Sequence, residues 1–197
     1  MFQIRIHGRG GQGVVTGAEM LSIAAFEQGR HAQAFPSFGS ERTGAPVVAF
    51  CRIADREIRL REPVMAPDAL IVQDPTLLHQ VDVFQGLQPG GYVLINTRKS
   101  FDELGVDEVA RRYRRERLIT VPATAIALRH LGRPLPNAVL LGGFAALSGL
   151  ITLAAVGQAI RAKFGAKVAD ANVAAAAEAH AFVAREIEEL DDHAQAD

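Results

Sequence analysis

The sequence predicts an α/β fold, a mostly parallel and doubly wound sheet, on the strength of three observations. The chain opens on an apolar-alternating run, Phe2, Ile4 and Ile6, that reads as a strand. A glycine turn follows, with Gly8, Gly10 and Gly13 in G-x-G-x-x-G spacing, and Val14, Ala18, Leu21 and Ala25 then recur at helical spacing. Further on, the short apolar runs Ala69–Val72, Tyr92–Ile95 and Leu118–Val121 each end in a polar or proline-containing turn. In a Rossmann-like sheet the carboxyl ends of parallel strands share one edge with the glycine turn, so a ligand crevice is expected there.

The glycines have two physical uses. The turn needs positive φ, and a Cβ at these positions would hold the backbone away from a phosphate seated on the helix N-terminus. Gly11 adds one more bare position, so several amide N–H groups could face one anion. The same turn also occurs where a helix merely packs close to its strand, and both readings stand at this point. Two nucleotide classes are weakened at once. No Lys-Ser/Thr pair follows the glycines, which removes the Walker loop. The ribose-binding acid expected about 20 residues on is absent from His31-Ala32-Gln33-Ala34-Phe35-Pro36, which disfavours NAD.

Taken in order, the first helix ends near Gly29. The segment from Gln33 to Pro46 has Pro36, Gly39, Gly44 and Pro46, which forbid a helix and allow a strand end followed by a shaped loop. Within it Arg42, flanked by Ser40 and Thr43, offers a guanidinium fork to a phosphate or an ion pair to Glu41 or a partner chain. Val47–Ile53 is a strand, with Ile58–Leu60 expected to return antiparallel as a hairpin inserted at the sheet edge. Asp74 should cap a helical turn begun by Pro75, and the Leu118–Val121 strand runs into a helix over Ala125–Leu131. The uncharged stretch Ala138–Ile160 is long enough for a membrane span. Its glycines, a stop at Ser148-Gly149 and an N-cap at Thr152 predict two buried helices instead. Asp170 is expected to cap a last helix over Asn172–Leu190, leaving residues 191–197 as a frayed tail behind one domain, 1–190.

Composition narrows the function. With 197 residues, 49% of them hydrophobic, the chain can bury a sizeable core, and a net charge of −1 gives no basic excess for nucleic acid. Cys51 is the single cysteine, so the chain alone forms no disulfide, cysteine zinc site or iron–sulfur cluster. No signal peptide is visible, which makes a cytoplasmic location the expectation, with no membrane partner. The histidines at 7, 31, 79, 130, 180 and 193 show no metal-ligand spacing, and no nucleophile elbow is present. His7, at the tip of the first strand, is either packed or in contact with a ligand. No catalytic residue and no metal ligand is assigned. The chain offers a crevice without an acid, a base or a nucleophile, which suggests a subunit whose chemistry is completed elsewhere.

Several segments together resemble a known family. Ile4–Thr16, Ala32–Pro46 and Ile71–Leu78, continued by Ile95-Asn96-Thr97, Val121–Thr124 and Val139–Leu153, are similar to the gamma subunit of pyruvate:ferredoxin oxidoreductase and related 2-oxoacid:acceptor oxidoreductases. The resemblance covers essentially the whole chain. It implies an α/β subunit of a multichain enzyme that decarboxylates a 2-oxoacid oxidatively to acyl-CoA and carbon dioxide. Alpha, beta and delta chains would hold thiamine diphosphate, magnesium and [4Fe-4S] clusters, and an acceptor such as ferredoxin would take the electrons. For this chain it implies a share in coenzyme A binding: Gly10, Gly11, Gln12 and Gly13 as donors to its phosphates, with Ser40 and Arg42 holding a phosphate or lining the channel. Other readings stay open. The chain could be a purely structural docking subunit, the 2-oxoacid could be phenylglyoxylate and the final acceptor NAD. An independent Rossmann dehydrogenase is the remaining possibility.

Overall fold

A computed structural model describes residues 1–37 and 43–196. Six strands form one sheet: β1 (Phe2–Arg9), β2 (His31–Pro36), β3 (Pro46–Ala54), β4 (Ala69–Val72), β5 (Tyr92–Asn96) and β6 (Leu118–Val121), in the order β2-β3-β1-β4-β5-β6. The β1, β4, β5 and β6 strands run parallel, with Ile6 opposite Ile71 and Ile71 opposite Leu94. β3 is antiparallel to both β1 and β2. The sheet is therefore mixed and mostly parallel, with the antiparallel element at one edge as the sequence predicts.

The hairpin partner differs from the expectation. Ile58–Leu60 forms no strand, and β3 instead pairs with β2 from His31↔Ala54 to Pro36↔Ala49. The reason is burial. Ala32 and Ala34 pack on the main core, and Phe35 stacks on Phe50 across the pair at 5.2 Å between ring centroids, whereas Leu60 remains exposed.

The strand alternation sorts side chains into two layers. Ile4, Ile6, Ile71, Leu94, Ile119 and Val121 face a helical layer made by α1 (Val14–Glu27), α4 (Asn137–Ser148), α5 (Leu153–Lys163) and α6 (Ala166–Ala196). Leu70, Val72, Val93, Ile95 and Leu118 face the other way. That second face is covered by the irregular stretches 75–91 and 97–117, which include a 3₁₀ turn at Pro75–His79 and the short α2 (Asp107–Ala110), and Val83, Leu87, Phe101 and Leu104 fill it. Each fully buried Leu, Ile, Val or Phe contributes about 1.5–3 kcal/mol relative to exposure, so two such layers fix the strand register.

The uncharged stretch resolves into α4 and α5, separated where Gly149 takes φ 61° and Thr152 accepts from the Ala155 N–H at 3.1 Å. α4 lacks charge because it lies between the sheet and α6: Gly142 is so close to the Ala176 carbonyl that an added Cβ would fall 2.0 Å from that oxygen. Among the described residues no helix is long and apolar enough to cross a membrane. α3 (Ala123–Leu131) starts two residues ahead of its expected position, and α6 begins at Ala166 and runs to Ala196, past Leu190. Asp170 thus lies inside α6 and caps nothing; it pairs with Arg161 at 2.5 Å.

Candidate functional site

The site grows out of the β1–α1 turn. β1 carries the chain to Arg9, and the turn delivers Gly13 as the N-cap of α1 with φ 72°, a conformation that favours glycine. Gly11, at φ 91°, faces open space, while a Cβ on Gly8 would meet Val14 at 2.5 Å. Gly8 therefore serves close packing of helix on strand, whereas Gly11 has no neighbour within 4 Å of an added Cβ. On its other side the turn is joined to the second loop: the Gly10 N–H donates to the Ala45 carbonyl at 2.9 Å, and the Gly44 N–H to the Gly10 carbonyl at 3.0 Å. Ser40 and Arg42 lie outside the described residues.

A polar latch sets the turn's shape. The Gln12 carboxamide accepts from the Arg9 N–H at 2.8 Å and donates to Asp74 at 3.0 Å. Arg9 reaches the same carboxylate at 3.0 Å, as well as Thr76, Gln80 and the Gly44 carbonyl. Asp74 also caps the Pro75–His79 turn, accepting from the Thr76 N–H at 3.0 Å and its hydroxyl at 2.5 Å. Burial pushes the Asp74 carboxyl up, but the bonds from Thr76 and Gln12 and the Arg9 charge outweigh it and hold the group below the usual carboxylate range. The Gln12 side chain is thus engaged within the fold, and its N–H bonds the Arg9 carbonyl. Among the described residues the N–H groups of Gly11 and Gly13 make no backbone hydrogen bond. The sequence reading gave Asp74 only its cap; the latch joins residues too distant in the chain for any local pattern to show it.

Two cavities flank the turn. The first, about 390 Å³, lies at the carboxyl ends of β4, β5 and β6 where the topology places a crevice, and Gln12, Gln73, Asp74, Asn96, Arg98 and Thr124 are on its walls. Asn96 spans it, donating to the Gln73 carbonyl and to Thr124 at 2.8 Å each and accepting from the Thr124 N–H at 3.0 Å. The second, about 700 Å³, lies on the helical side between Gly11 and Gly13 of the turn, Thr16 of α1 and the starts of α4 and α6. Both volumes are in the range of small-ligand sites. His7 reaches neither: it is 5% exposed beneath the second face, its Nε2 accepts from Arg5 at 3.0 Å, and burial followed by the Arg5 charge lowers its pKa to about 3. Among the described residues no three metal-ligating side chains come together.

The family described as pyruvate ferredoxin/flavodoxin oxidoreductase matches residues 3–182. The chain belongs to this family of oxidoreductases. Over 181 residues it is 46% identical to the pyruvate/ketoisovalerate oxidoreductases common subunit gamma of Thermococcus kodakarensis, covering 91% of this chain and 95% of that one. It is 51% identical over 162 residues to pyruvate synthase subunit PorC of Methanosarcina barkeri, covering 82% and 86%. The crystal structure of pyruvate oxidoreductase subunit PORC from Thermotoga maritima superposes with a TM-score of 0.75 at 36% identity, over 91% of this chain and 94% of that one. A 2-oxoglutarate:ferredoxin oxidoreductase from Magnetococcus marinus, solved with coenzyme A and succinyl-CoA bound, shares the fold at a TM-score of 0.70 and 18% identity, with 31% of its chain covered. Within the family, then, this chain matches gamma subunits over nearly their full length.

Proposed function

We propose that the chain is the gamma subunit of a multisubunit 2-oxoacid oxidoreductase that converts pyruvate or a related 2-oxoacid to acyl-CoA and carbon dioxide, and that it helps to bind coenzyme A and to hold the complex together. The observation that carries the reading is the latched glycine turn standing between two cavities, in a chain that matches gamma subunits along their length. Pyruvate is favoured because relatives are named as pyruvate synthase subunits. Thiamine diphosphate, magnesium and [4Fe-4S] clusters belong to the partner alpha, beta and delta chains in this reading, and a carrier such as ferredoxin accepts the electrons.

The residues fit an extended anionic co-substrate. Gly11 and Gly13 present bare backbone at the N-terminus of α1, where the helix dipole favours negative charge, and cations stand on both cavity walls: Arg98 on one, Arg133 and Lys167 on the other. Coenzyme A supplies the thiol that takes up the acyl group; this chain's part is to anchor and orient it. Gly10 and Gln12 act indirectly, by fixing the turn, and the reading gives Ser40 and Arg42 the holding of a phosphate or the lining of the channel. A docking role without ligand contact is the second reading, supported by the complete engagement of Arg9 and Gln12 within the fold.

The assembled enzyme separates the two. Arg42→Ala should raise the KM for coenzyme A by the equivalent of about 1.5–3 kcal/mol, the worth of a hydrogen bond to a charged group, with kcat little changed. An unchanged KM removes Arg42 from the site and favours docking.

A further inference from the structure

The chain's near-zero net charge hides one strongly cationic stretch. Residues 111–117 hold five arginines and one glutamate. Arg111, Arg112, Arg114 and Arg115 are exposed. Little of this charge is neutralised within the fold. Arg111 pairs with Asp107 at 2.9 Å and Arg114 lies 3.7 Å from Glu116, and both pairs are open to solvent and contribute little attraction. Among the described residues no carboxylate stands within 4 Å of Arg112, Arg115 or Arg117.

The fold places this stretch away from the glycine turn and the two cavities beside it. A 3₁₀ turn at Arg115–Arg117 leads into Leu118 at the start of β6, and Arg117 donates to the Gly90 carbonyl just ahead of β5. The arginines therefore stand at the amino ends of the parallel strands, the edge opposite the turn. Two of them are braced by rings: the Arg115 guanidinium lies over Phe101 at 5.8 Å and that of Arg117 over Tyr92 at 4.7 Å. Phe101 belongs to the second layer whereas Tyr92 packs on the main core, so these two cations are held on opposite sides of the sheet edge. They form a stripe rather than a cup.

That geometry selects the occupant. A small anion needs donors that converge on it, and a nucleic acid needs a surface without competing carboxylates. Here Asp102 and Asp107 share with Arg111, Arg115 and Tyr113 the walls of a cavity of about 470 Å³. A braced arginine stripe with a half-buried tyrosine and a recess beside it has the residue types that anchor protein interfaces. No large apolar side chain is exposed between residues 97 and 117, so charge rather than apolar burial governs contact at this edge. Resting on the gamma-subunit reading above, we propose that the stripe is a docking surface for a predominantly acidic face on another chain of the complex.

The test captures the assembled complex through a tag on this chain and washes it with rising salt, reading the concentration at which half of the other chains are released. Arg112→Glu with Arg114→Glu should lower that midpoint about threefold or more, since reversing two interfacial charges turns attraction into repulsion that salt then screens. Arg112→Lys with Arg114→Lys, which keeps the charge, should stay close to the parent. Arg56→Glu with Arg61→Glu, the same charge change at exposed positions beyond β3, should leave the midpoint where it was. All four side chains are exposed, so the thermal midpoint of the chain should not move in any of these variants. A parent-like release midpoint in the Arg112 and Arg114 reversal overturns the proposal, and so does an equal fall in the Arg56 and Arg61 control. Unchanged release with slower reduction of a ferredoxin but not of a small dye would assign the stripe to the electron carrier and overturn it as well. If the parent chain retains no other chain even at low salt, the subunit reading itself falls.

Discussion

Gln12 and Asp74, 62 residues apart in the chain, are joined side chain to side chain at 3.0 Å, so the glycine turn after β1 is fastened to the carboxyl end of β4. The carboxylate is shared with Arg9 and Thr76, and a carboxylate with several donors resists protonation. Its folded pKa lies below the ordinary 3.8, so it contributes stability that is fully present above that value and is lost as pH falls through the folded value. Denaturation of wild type and Asp74→Asn in parallel should show a wild-type advantage at neutral pH that shrinks only below about pH 4. A gap that stays constant to pH 2 would show that the charge is not what holds the turn.

His7 behaves differently. Buried neutral beside Arg5, it has a folded pKa near 3 against 6.5 for the free side chain. Between those values the unfolded chain binds the extra proton, so stability should rise with pH across that window, by up to about 1.4 kcal/mol per pH unit. His7→Gln should flatten that slope. Nuclear magnetic resonance of the wild-type imidazole should show no titration between pH 5 and 8.

These two groups also mark what could be read from the sequence. The alternation of Phe2, Ile4 and Ile6 disclosed β1 through its one apolar face, and the runs at Ala69–Val72, Tyr92–Ile95 and Leu118–Val121 disclosed the other parallel strands, since burial on both faces leaves a continuous apolar signature. β2 left almost none. His31–Pro36 is a half-buried edge strand with two small alanines, so the more apolar-looking Ile58–Leu60 took its place as the expected hairpin partner. The glycine turn was legible because its spacing is local. Asp74's second role comes from the parallel pairing of β1 with β4, and the cavity walled by Arg133, Lys167 and Asn172 from packing between α1, α4 and α6, so no window of sequence contains either.

Cys51 lies fully buried on β3 against the helical layer, and burial pushes its thiol well above the ordinary cysteine range. Only the thiolate reacts readily, so native protein should be inert to an aromatic disulfide reagent at pH 8. One equivalent should react on unfolding in guanidinium. Prompt labelling of the native chain would place the thiol at the surface.

The close approach of α4 to α6 makes one added methyl group costly. A Cβ at Gly142 would stand 2.0 Å from the Ala176 carbonyl oxygen, a backbone atom that cannot swing aside, so the two helices must separate. Overpacking of this kind costs about 1–3 kcal/mol, and α4 also contacts the sheet through Gly143 and Leu94, so the displacement propagates into the main core. Gly157, in the middle of α5, is the matched control: its added methyl would meet Val173 only at 3.9 Å, an ordinary contact. There the helix-propensity gain of alanine over glycine, about 1 kcal/mol, should dominate. Chemical denaturation should therefore move the midpoint down for Gly142→Ala and up for Gly157→Ala. The same shift in both would show that backbone entropy, rather than the α4–α6 approach, governs these positions.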